Sequence, residues 1–205
     1  MGTWWRRNRW ALLALPFVLV LAAVAGSYRI WAMWNPLHLT DPTEAAVGQE
    51  VRLVTALEDE TGPYAVDVTL SAGPVEVVTD YVDRYGERQP FPEVANTRVW
   101  RTELTVAAEP GSPLSACQAR FTDGEGRETT YASGPNLGAP SLGLDPCRPP
   151  APEGGEPWEL PAPEERPATW TVPVYVRLVQ DAVPERVDVW FATPRYAALH
   201  LEEAP

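Results

Sequence analysis

The chain has 205 residues and a formal net charge of −12, with 28 acidic residues against 16 basic ones, and every basic residue is an arginine. All the acidic residues lie beyond residue 40, where 12 arginines against 28 acids leave a net charge of −16. This part lacks the basic surface that nucleic acids and anionic lipid headgroups require, so neither class is expected as a partner. The absence of lysine and the abundance of Ala, Pro and Gly are typical of a GC-rich bacterial genome.

The N-terminal region has the pattern of a membrane anchor. Residues 10–26 carry no charged side chain, and as a helix they would span about 26 Å, close to a hydrocarbon core about 30 Å thick. Basic residues precede this run, and tryptophans typical of the membrane interface flank it; these anchor residues are Arg6, Arg7, Arg9, Trp10, Trp31 and Trp34. The positive-inside rule predicts a cytoplasmic tail (1–9) and a transmembrane helix with its juxtamembrane segment (10–34), with the remainder outside the cell membrane.

A cleaved secretory signal peptide is the alternative interpretation of the same region. Its layout fits, because a basic stretch and an apolar stretch lead to Ala23-Val24-Ala25, an A-x-A pattern. The aromatic residues after the apolar run favour an uncleaved anchor, since they suit a juxtamembrane segment better than a soluble N-terminus. Whether Ala25 is a cleavage site stays open.

The exported part alternates apolar and polar residues in short segments, which is typical of β-strands. After a linker over 35–48, the domain over 49–205 contains about eight such segments, at 50–57, 64–70, 75–81, 98–106, 114–121, 127–132, 171–179 and 186–193. A hairpin loop over 180–185 is expected to join the last two, and a proline-rich loop fills 133–168. The pattern predicts an all-β fold, an immunoglobulin-like antiparallel β-sandwich, with a barrel as the alternative.

Cys117 and Cys147 are the two cysteines of the chain. An even number in an oxidising compartment predicts a disulfide, which would tether the proline-rich loop to the strand that carries Cys117. Two free or metal-binding thiols are the alternative, but the chain has no C-x-x-C motif and no histidine near either cysteine. We therefore predict no metal site.

Three stretches resemble a known class of exported domain. They are Cys117-Gln118-Ala119-Arg120-Phe121, the turn Asp123-Gly124-Glu125-Gly126-Arg127, and the closing strands VPVYVRL and VDVWF. Together they resemble bacterial exported immunoglobulin-like domains of the mycobacterial immunoprotective extracellular protein family, and an anchor with one small β domain is similar to many actinobacterial membrane proteins of unassigned role. The resemblance implies a β-sandwich outside the membrane, and it carries no catalytic residues.

No catalytic or cofactor-binding motif is present in the sequence. His38 and His200 are the two histidines and neither has a partner at metal spacing, while G-x-S-x-G and phosphate-binding glycine loops are absent. The acidic stretches Glu58-Asp59-Glu60 and Asp80, Asp83, Glu87 could bind calcium, but solvated turns explain them better. We predict no catalytic residues, no cofactor and no metal, and hence no enzyme.

The aromatic residues of the exported part are expected to pack in the core or at sheet edges. Trp158 is the exception, because it lies in the proline-rich loop and would be a contact point for a partner if its indole is exposed. The resulting prediction is a membrane-anchored interaction or accessory module of the cell envelope, with a protein partner in the envelope. A ligand- or ion-binding sensor and a carboxylate-dependent hydrolase are the alternatives.

Overall fold

The computed structural model describes residues 7–8, 10, 13–22, 24, 26, 38–59, 62–83, 85–112, 114, 116–131, 137–139, 145–152, 155, 159–162 and 164–204. These residues form twelve strands and little helix, which confirms the all-β prediction. The strands are β1 (Asp41–Ala45), β2 (Val51–Asp59), β3 (Gly62–Ala72), β4 (Glu76–Val78), β5 (Asp80–Val82), β6 (Arg88–Pro90), β7 (Thr97–Ala108), β8 (Gln118–Asp123), β9 (Glu128–Thr130), β10 (Thr169–Val179), β11 (Pro184–Trp190) and β12 (Arg195–His200).

The first large sheet has the strand order β1-β12-β11-β8-β9. Four of its strands pair antiparallel, whereas β1 runs parallel to β12, so this sheet is mixed. One row of paired residues crosses all five strands, through Glu44, Ala198, Asp188, Arg120 and Thr130. Residues of one row share a face of the sheet, and this face points away from the core.

The second large sheet is built around β7, the longest strand. Along one edge β7 pairs with β10 over nearly its whole length, from Thr97↔Val179 to Ala107↔Thr169. Its other edge is divided between two strands, because β3 pairs with residues 104–108 and β4 pairs with residues 99–101. β2 pairs with the far edge of β3 and completes the sheet there. β4 is a short edge strand that, among the described strands, pairs with β7 alone.

The main core lies between the two large sheets. Alternating residues of both sheets supply it, as the alternation in sequence predicts; its largest fully buried side chains are Trp100, Phe121, Leu53, Leu70, Leu104 and Leu199. A smaller apolar cluster lies on the outer face of the second sheet, under the β5–β6 hairpin and residues 137–139.

Several predicted boundaries are wrong, each for a local physical reason. Residues 41–45, inside the predicted linker, form β1. The strand predicted over 114–121 begins at Gln118, since Ala116 has a positive φ of 63°. The strand predicted over 75–81 is two strands, interrupted at Thr79, whose carbonyl accepts the Phe91 N–H at 2.9 Å.

The loop over 180–185 does not form the predicted hairpin. β10 belongs to the second sheet and β11 to the first, so this loop carries the chain from one sheet to the other. Its Gln180 N–H donates to the Asn96 carbonyl at 2.9 Å, which fixes the loop against the turn before β7. The valines at alternate positions of both strands face the shared core, so their patterns alone do not tell a hairpin from a crossover.

The described residues of the N-terminal region are helical, and their large apolar side chains are exposed, with Trp10 exposed by 71%. Among the residues described, no helix has both the length and the hydropathy needed to cross a membrane. Arg7 and Trp10 belong to this helical region. Arg6, Arg9, Trp31 and Trp34 lie outside the described residues.

The predicted disulfide between Cys117 and Cys147 is present, with the two Cα atoms 5.8 Å apart and both residues buried in the main core. The Trp170 indole donates to the Cys147 carbonyl at 3.1 Å, and the Arg166 guanidinium lies 5.2 Å from the centre of the Trp170 ring. Arg166 in turn donates to the carbonyls of Ser112 and Glu109. The proline-rich stretch is thereby fixed in its middle, at Cys147, and near its C-terminal end, at Arg166, and its described residues contain no strand.

The predicted turn at Asp123-Gly124-Glu125-Gly126 joins β8 and β9 as a hairpin. The buried Asp123 carboxylate accepts the N–H groups of Glu125 and Arg127, each at 3.0 Å, and the Arg127 Nε at 2.8 Å. Burial raises the pKa of Asp123, but the hydrogen bonds from Arg127 and Glu125 outweigh it and hold the pKa below its ordinary value.

Breaking the disulfide should lower the stability of the domain. The bond closes a sequence separation of 30 residues, for which the chain-entropy model gives about 3.5 kcal/mol. We expect the double substitution Cys117→Ala and Cys147→Ala to lower the free energy of unfolding in urea by about 3 kcal/mol. A loss below about 1 kcal/mol would show that the loop is held by its other contacts.

The lowered pKa of Asp123 predicts a stability contribution that depends on pH. This contribution is present above the ordinary pKa of an aspartic acid and is lost as the pH falls through the lower pKa of the folded state. Asp123→Asn should therefore cost about 1 kcal/mol at pH 7, and the difference from the wild type should shrink as the pH falls below the ordinary pKa of an aspartic acid. Glu125→Gln is the matched control, because Glu125 pairs with the same arginine from an exposed position and should cost less than about 0.5 kcal/mol.

Candidate functional site

A groove of about 710 Å³ lies at the margin of the second sheet. Its walls come from three parts of the chain: β4 with the residues after it, the segment from Pro90 to Val99, and Arg177 on β10. Most of the lining is apolar, and Val77 on β4 and Val94 on the opposite wall are 47% and 49% exposed. We call this surface the β4 groove.

An aromatic cluster supports the groove from beneath. The Tyr81 and Phe91 rings lie 4.7 Å apart between centres, and the Phe91 and Tyr175 rings 5.4 Å apart with their edges turned to each other. Phe91 and Val99 are buried in the smaller apolar cluster and also line the groove. Aromatic contacts of this kind hold rings in defined positions, so the cluster fixes the side of the groove that Phe91 lines.

Arg177 holds the loop walls of the groove in place. Its Nη2 donates to the carbonyls of Pro92 and Leu137, each at 2.9 Å, and its Nη1 donates to the Thr97 hydroxyl at 3.3 Å. All of these acceptors are neutral, and burial lowers the pKa of Arg177. The planar fork of an arginine suits this task because it reaches several carbonyls at once.

Cationic groups outnumber unpaired acids in the groove. Asp80 forms an ion pair with Arg88 at 3.6 Å, so its charge is matched locally. Arg98 is exposed and forms none of the ion pairs found among the described residues, and Arg177 contacts neutral oxygens. Glu93 is the remaining acid of the lining. Although the chain has a net charge of −12, the β4 groove thus carries two arginines against one unmatched carboxylate.

A second polar cluster lies on the outer face of the first sheet. Asp188 is 0% exposed and is covered by two arginines: Arg120 Nη2 lies 2.7 Å from its Oδ2, and Arg186 Nε lies 2.8 Å from its Oδ1. Arg120 also contacts Glu128 at 2.7 Å. Two cations and two carboxylates are balanced here, so this cluster ties three strands together and leaves no charge for a ligand.

Tyr196 lies beside the same cluster on β12. Burial raises the pKa of its hydroxyl, the Asp188 carboxylate raises it further, and Arg186 and Arg120 act in the opposite direction. A raised pKa keeps the phenol neutral at physiological pH.

The cysteine region contains the one group of three potential metal ligands found in the described part of the chain, Cys117, Asp145 and Cys147. Both sulfur atoms are joined in the disulfide, so they do not act as thiolate ligands in this form. The Asp145 carboxylate accepts the Cys147 N–H at 2.8 Å, and burial raises its pKa. The arrangement is that of a turn supporting a disulfide.

The other residues that the sequence singled out are scattered. His38 precedes β1, and His200 is exposed at the end of β12. Of the candidate calcium ligands, Asp83 accepts the N–H groups of Tyr85 and Glu87 at 2.9 Å, as a turn residue does. Trp158, the predicted partner contact, lies outside the described residues.

The β4 groove was not predicted from the sequence. Val77, Phe91 and Arg177 are far apart in the chain and carry no motif, and only the pairing of β4 and β10 with β7 brings them together. One signal was present, since Pro90 and Pro92 flank Phe91 and such a segment leaves regular structure.

Comparisons with protein-family models, curated proteins and solved structures return no match for this chain. A functional assignment therefore depends on the geometry of the chain itself.

Replacing Arg177 should loosen the walls of the β4 groove. Arg177→Leu removes three hydrogen bonds, and the carbonyls it leaves are partly reached by water, so we expect a loss of about 1–2 kcal/mol in the free energy of unfolding. Amide exchange should accelerate at residues 91–95 and 137–139 more than elsewhere.

Arg52→Leu is the matched control for this prediction, because Arg52 is an exposed arginine on β2 whose contact is the Asp67 carboxylate. It should change stability by less than about 1 kcal/mol. Equal effects of the two substitutions, or unchanged exchange in the groove walls of the Arg177 variant, would contradict the role assigned to Arg177.

Proposed function

We propose that this chain is a membrane-anchored, extracytoplasmic interaction module of the bacterial cell envelope, with an immunoglobulin-like β-sandwich as its binding domain and no catalysis of its own. The observation that carries the proposal is the β4 groove, an apolar recess with exposed valines at the edge of a sheet. Exposed apolar patches framed by polar residues are typical of protein interaction sites.

The strand order supports an immunoglobulin-like arrangement. The sheet β12-β11-β8-β9 matches the G-F-C-C′ order of such domains, and β7 and β10, adjacent in the other sheet, match the B and E strands. The chain also departs from this pattern. Its disulfide joins Cys117, before β8, to the proline-rich loop, whereas the usual disulfide joins strands B and F of opposite sheets.

The exposure of the N-terminal helical residues supports the anchor. Leu13, Phe17 and Leu21 are each exposed by more than 60%, and valines between them are similarly uncovered. Leaving such side chains in water is unfavourable by about 25 cal/mol per Å² of apolar surface. A lipid environment removes this cost, and the basic residues before the apolar run favour a cytoplasmic N-terminus.

Position-specific photo-cross-linking of the full-length chain in living cells tests the proposal. A photoreactive phenylalanine analogue at Val94, in the groove, should give a discrete adduct with an envelope protein. The same analogue at Val54, an exposed valine on β2, is the control and should give at least five-fold less. The adduct should remain in the membrane fraction after alkaline carbonate washing and should be degraded by protease added to intact cells with a permeable outer layer.

Two results would count against the proposal. Adducts of equal yield at both positions, or none at either, would remove the groove as an interaction site. Release of the chain by carbonate would contradict the membrane anchor. Protection of the chain from protease until the cells are lysed would contradict the extracytoplasmic location.

A further inference from the structure

The outer edge of β4 is occupied at both ends and open in the middle. At one end the Val75 N–H donates to the Glu202 carbonyl, and the Val75 carbonyl accepts the Ala204 N–H, both at 2.8 Å. Residues 202–204 therefore run parallel to the backbone at Val75 and occupy this end of the edge. At the other end the Thr79 carbonyl accepts the Phe91 N–H at 2.9 Å.

Val77 lies between these two positions. The N–H and C=O groups of successive strand residues point to opposite edges, so Val77 directs both of its groups to the same edge as Val75 and Thr79. The pairing with β7 uses the other edge. Among the described residues, neither of these two groups of Val77 meets a backbone partner. One position of the β ladder is thus unfilled, and the residue at this position, Val77, lines the β4 groove.

The side chains around this position are suited to an apolar residue. The Val77 side chain is about half exposed on one wall, and Val94 is equally exposed on the other. Phe91, which is buried, also lines the groove. A strand added at Val77 would place alternate side chains into this recess and out of it, as strand addition at a sheet edge does.

With two arginines against one unmatched carboxylate, Glu93, the groove favours an acidic neighbour. Arg98 is exposed, belongs to the groove lining and has no acidic partner among the residues described, while Asp80 on the opposite side is already matched by Arg88. Arg177 adds a second cation whose contacts are neutral oxygens. A lysine or arginine at the same place would meet like charge, which costs binding energy.

We propose that the β4 groove binds an extended peptide segment of a partner protein. The segment pairs with the open backbone groups of Val77, places an apolar side chain between Val77 and Val94, and presents a carboxylate to Arg98. The inference rests on the proposed function and names the class of partner that the groove accepts.

An array of immobilised hexapeptides tests this inference with the purified full-length chain in detergent micelles. The peptides combine a central Val, Ile, Leu or Phe with a Glu or a Lys one to three residues away. Binding should favour glutamate peptides over their lysine counterparts by about ten-fold, the value expected for one charge-assisted hydrogen bond of about 1.5 kcal/mol. N-methylation of the backbone at the central residue of the best peptide should weaken binding by a similar factor.

Arg98→Glu should reverse the preference, so that the lysine peptide binds better than its glutamate counterpart. Val77→Asp should weaken both. Arg52→Glu changes the net charge by the same amount on β2 and should alter no affinity by more than about two-fold.

Three outcomes would overturn the inference: no glutamate peptide exceeding its lysine counterpart, an Arg98→Glu variant with unchanged preference, or self-association of the chain that Val77→Asp abolishes. The last would mean that a second copy occupies the groove. If Val94 still cross-links to an envelope protein while the peptides fail, the interaction module stands and only the class of partner is wrong. If the cross-link is absent as well, the proposed function fails with it.

Discussion

The division of one edge of β7 between two partners determines the architecture around the groove. Where β3 pairs with residues 104–108 of β7, the sheet continues to β2. Where β4 pairs with residues 99–101 of β7, the sheet ends at β4, a strand of three residues. The sheet is therefore narrower at one end than at the other. At the narrow end the β5–β6 hairpin folds over the outer face. There the N–H and C=O groups that Val77 directs to the outer edge of β4 have no backbone partner among the described residues.

Arginines hold the long loops of this lysine-free chain. Arg166 and Arg177 each donate to two backbone carbonyls of segments distant in sequence, Arg166 to Glu109 and Ser112 and Arg177 to Pro92 and Leu137. Burial lowers the pKa of both guanidinium groups, yet an arginine remains charged because its ordinary pKa is so high. The disulfide at Cys147 completes this set of tethers, so the proline-rich stretch and the groove walls are fixed without strand pairing.

Strands whose residues alternate between apolar and polar were predicted from the sequence, whereas β1, β6 and β12 were not. β2, β3 and most of β7 alternate as a half-buried strand should. β12 does not alternate, because it lies between β1 and β11 and its residues from Tyr196 to Leu199 are buried on both faces. β1 was missed for the opposite reason, since most of it is exposed and it contains Pro42. The disulfide followed from the cysteine count. The groove depends on pairings between distant segments, which local periodicity does not contain.

The open position at Val77 is the claim on which the binding proposal depends, and residue-resolved amide hydrogen exchange of the free chain tests it most directly. Val75 and Phe91 donate their N–H groups to Glu202 and Thr79 at the two ends of the same edge, so their amides should exchange slowly. The Val77 amide should exchange far faster than either, at a rate close to that of an exposed loop. Protection of Val77 equal to that of Val75 and Phe91 would show that the chain fills this position itself, and would contradict the account.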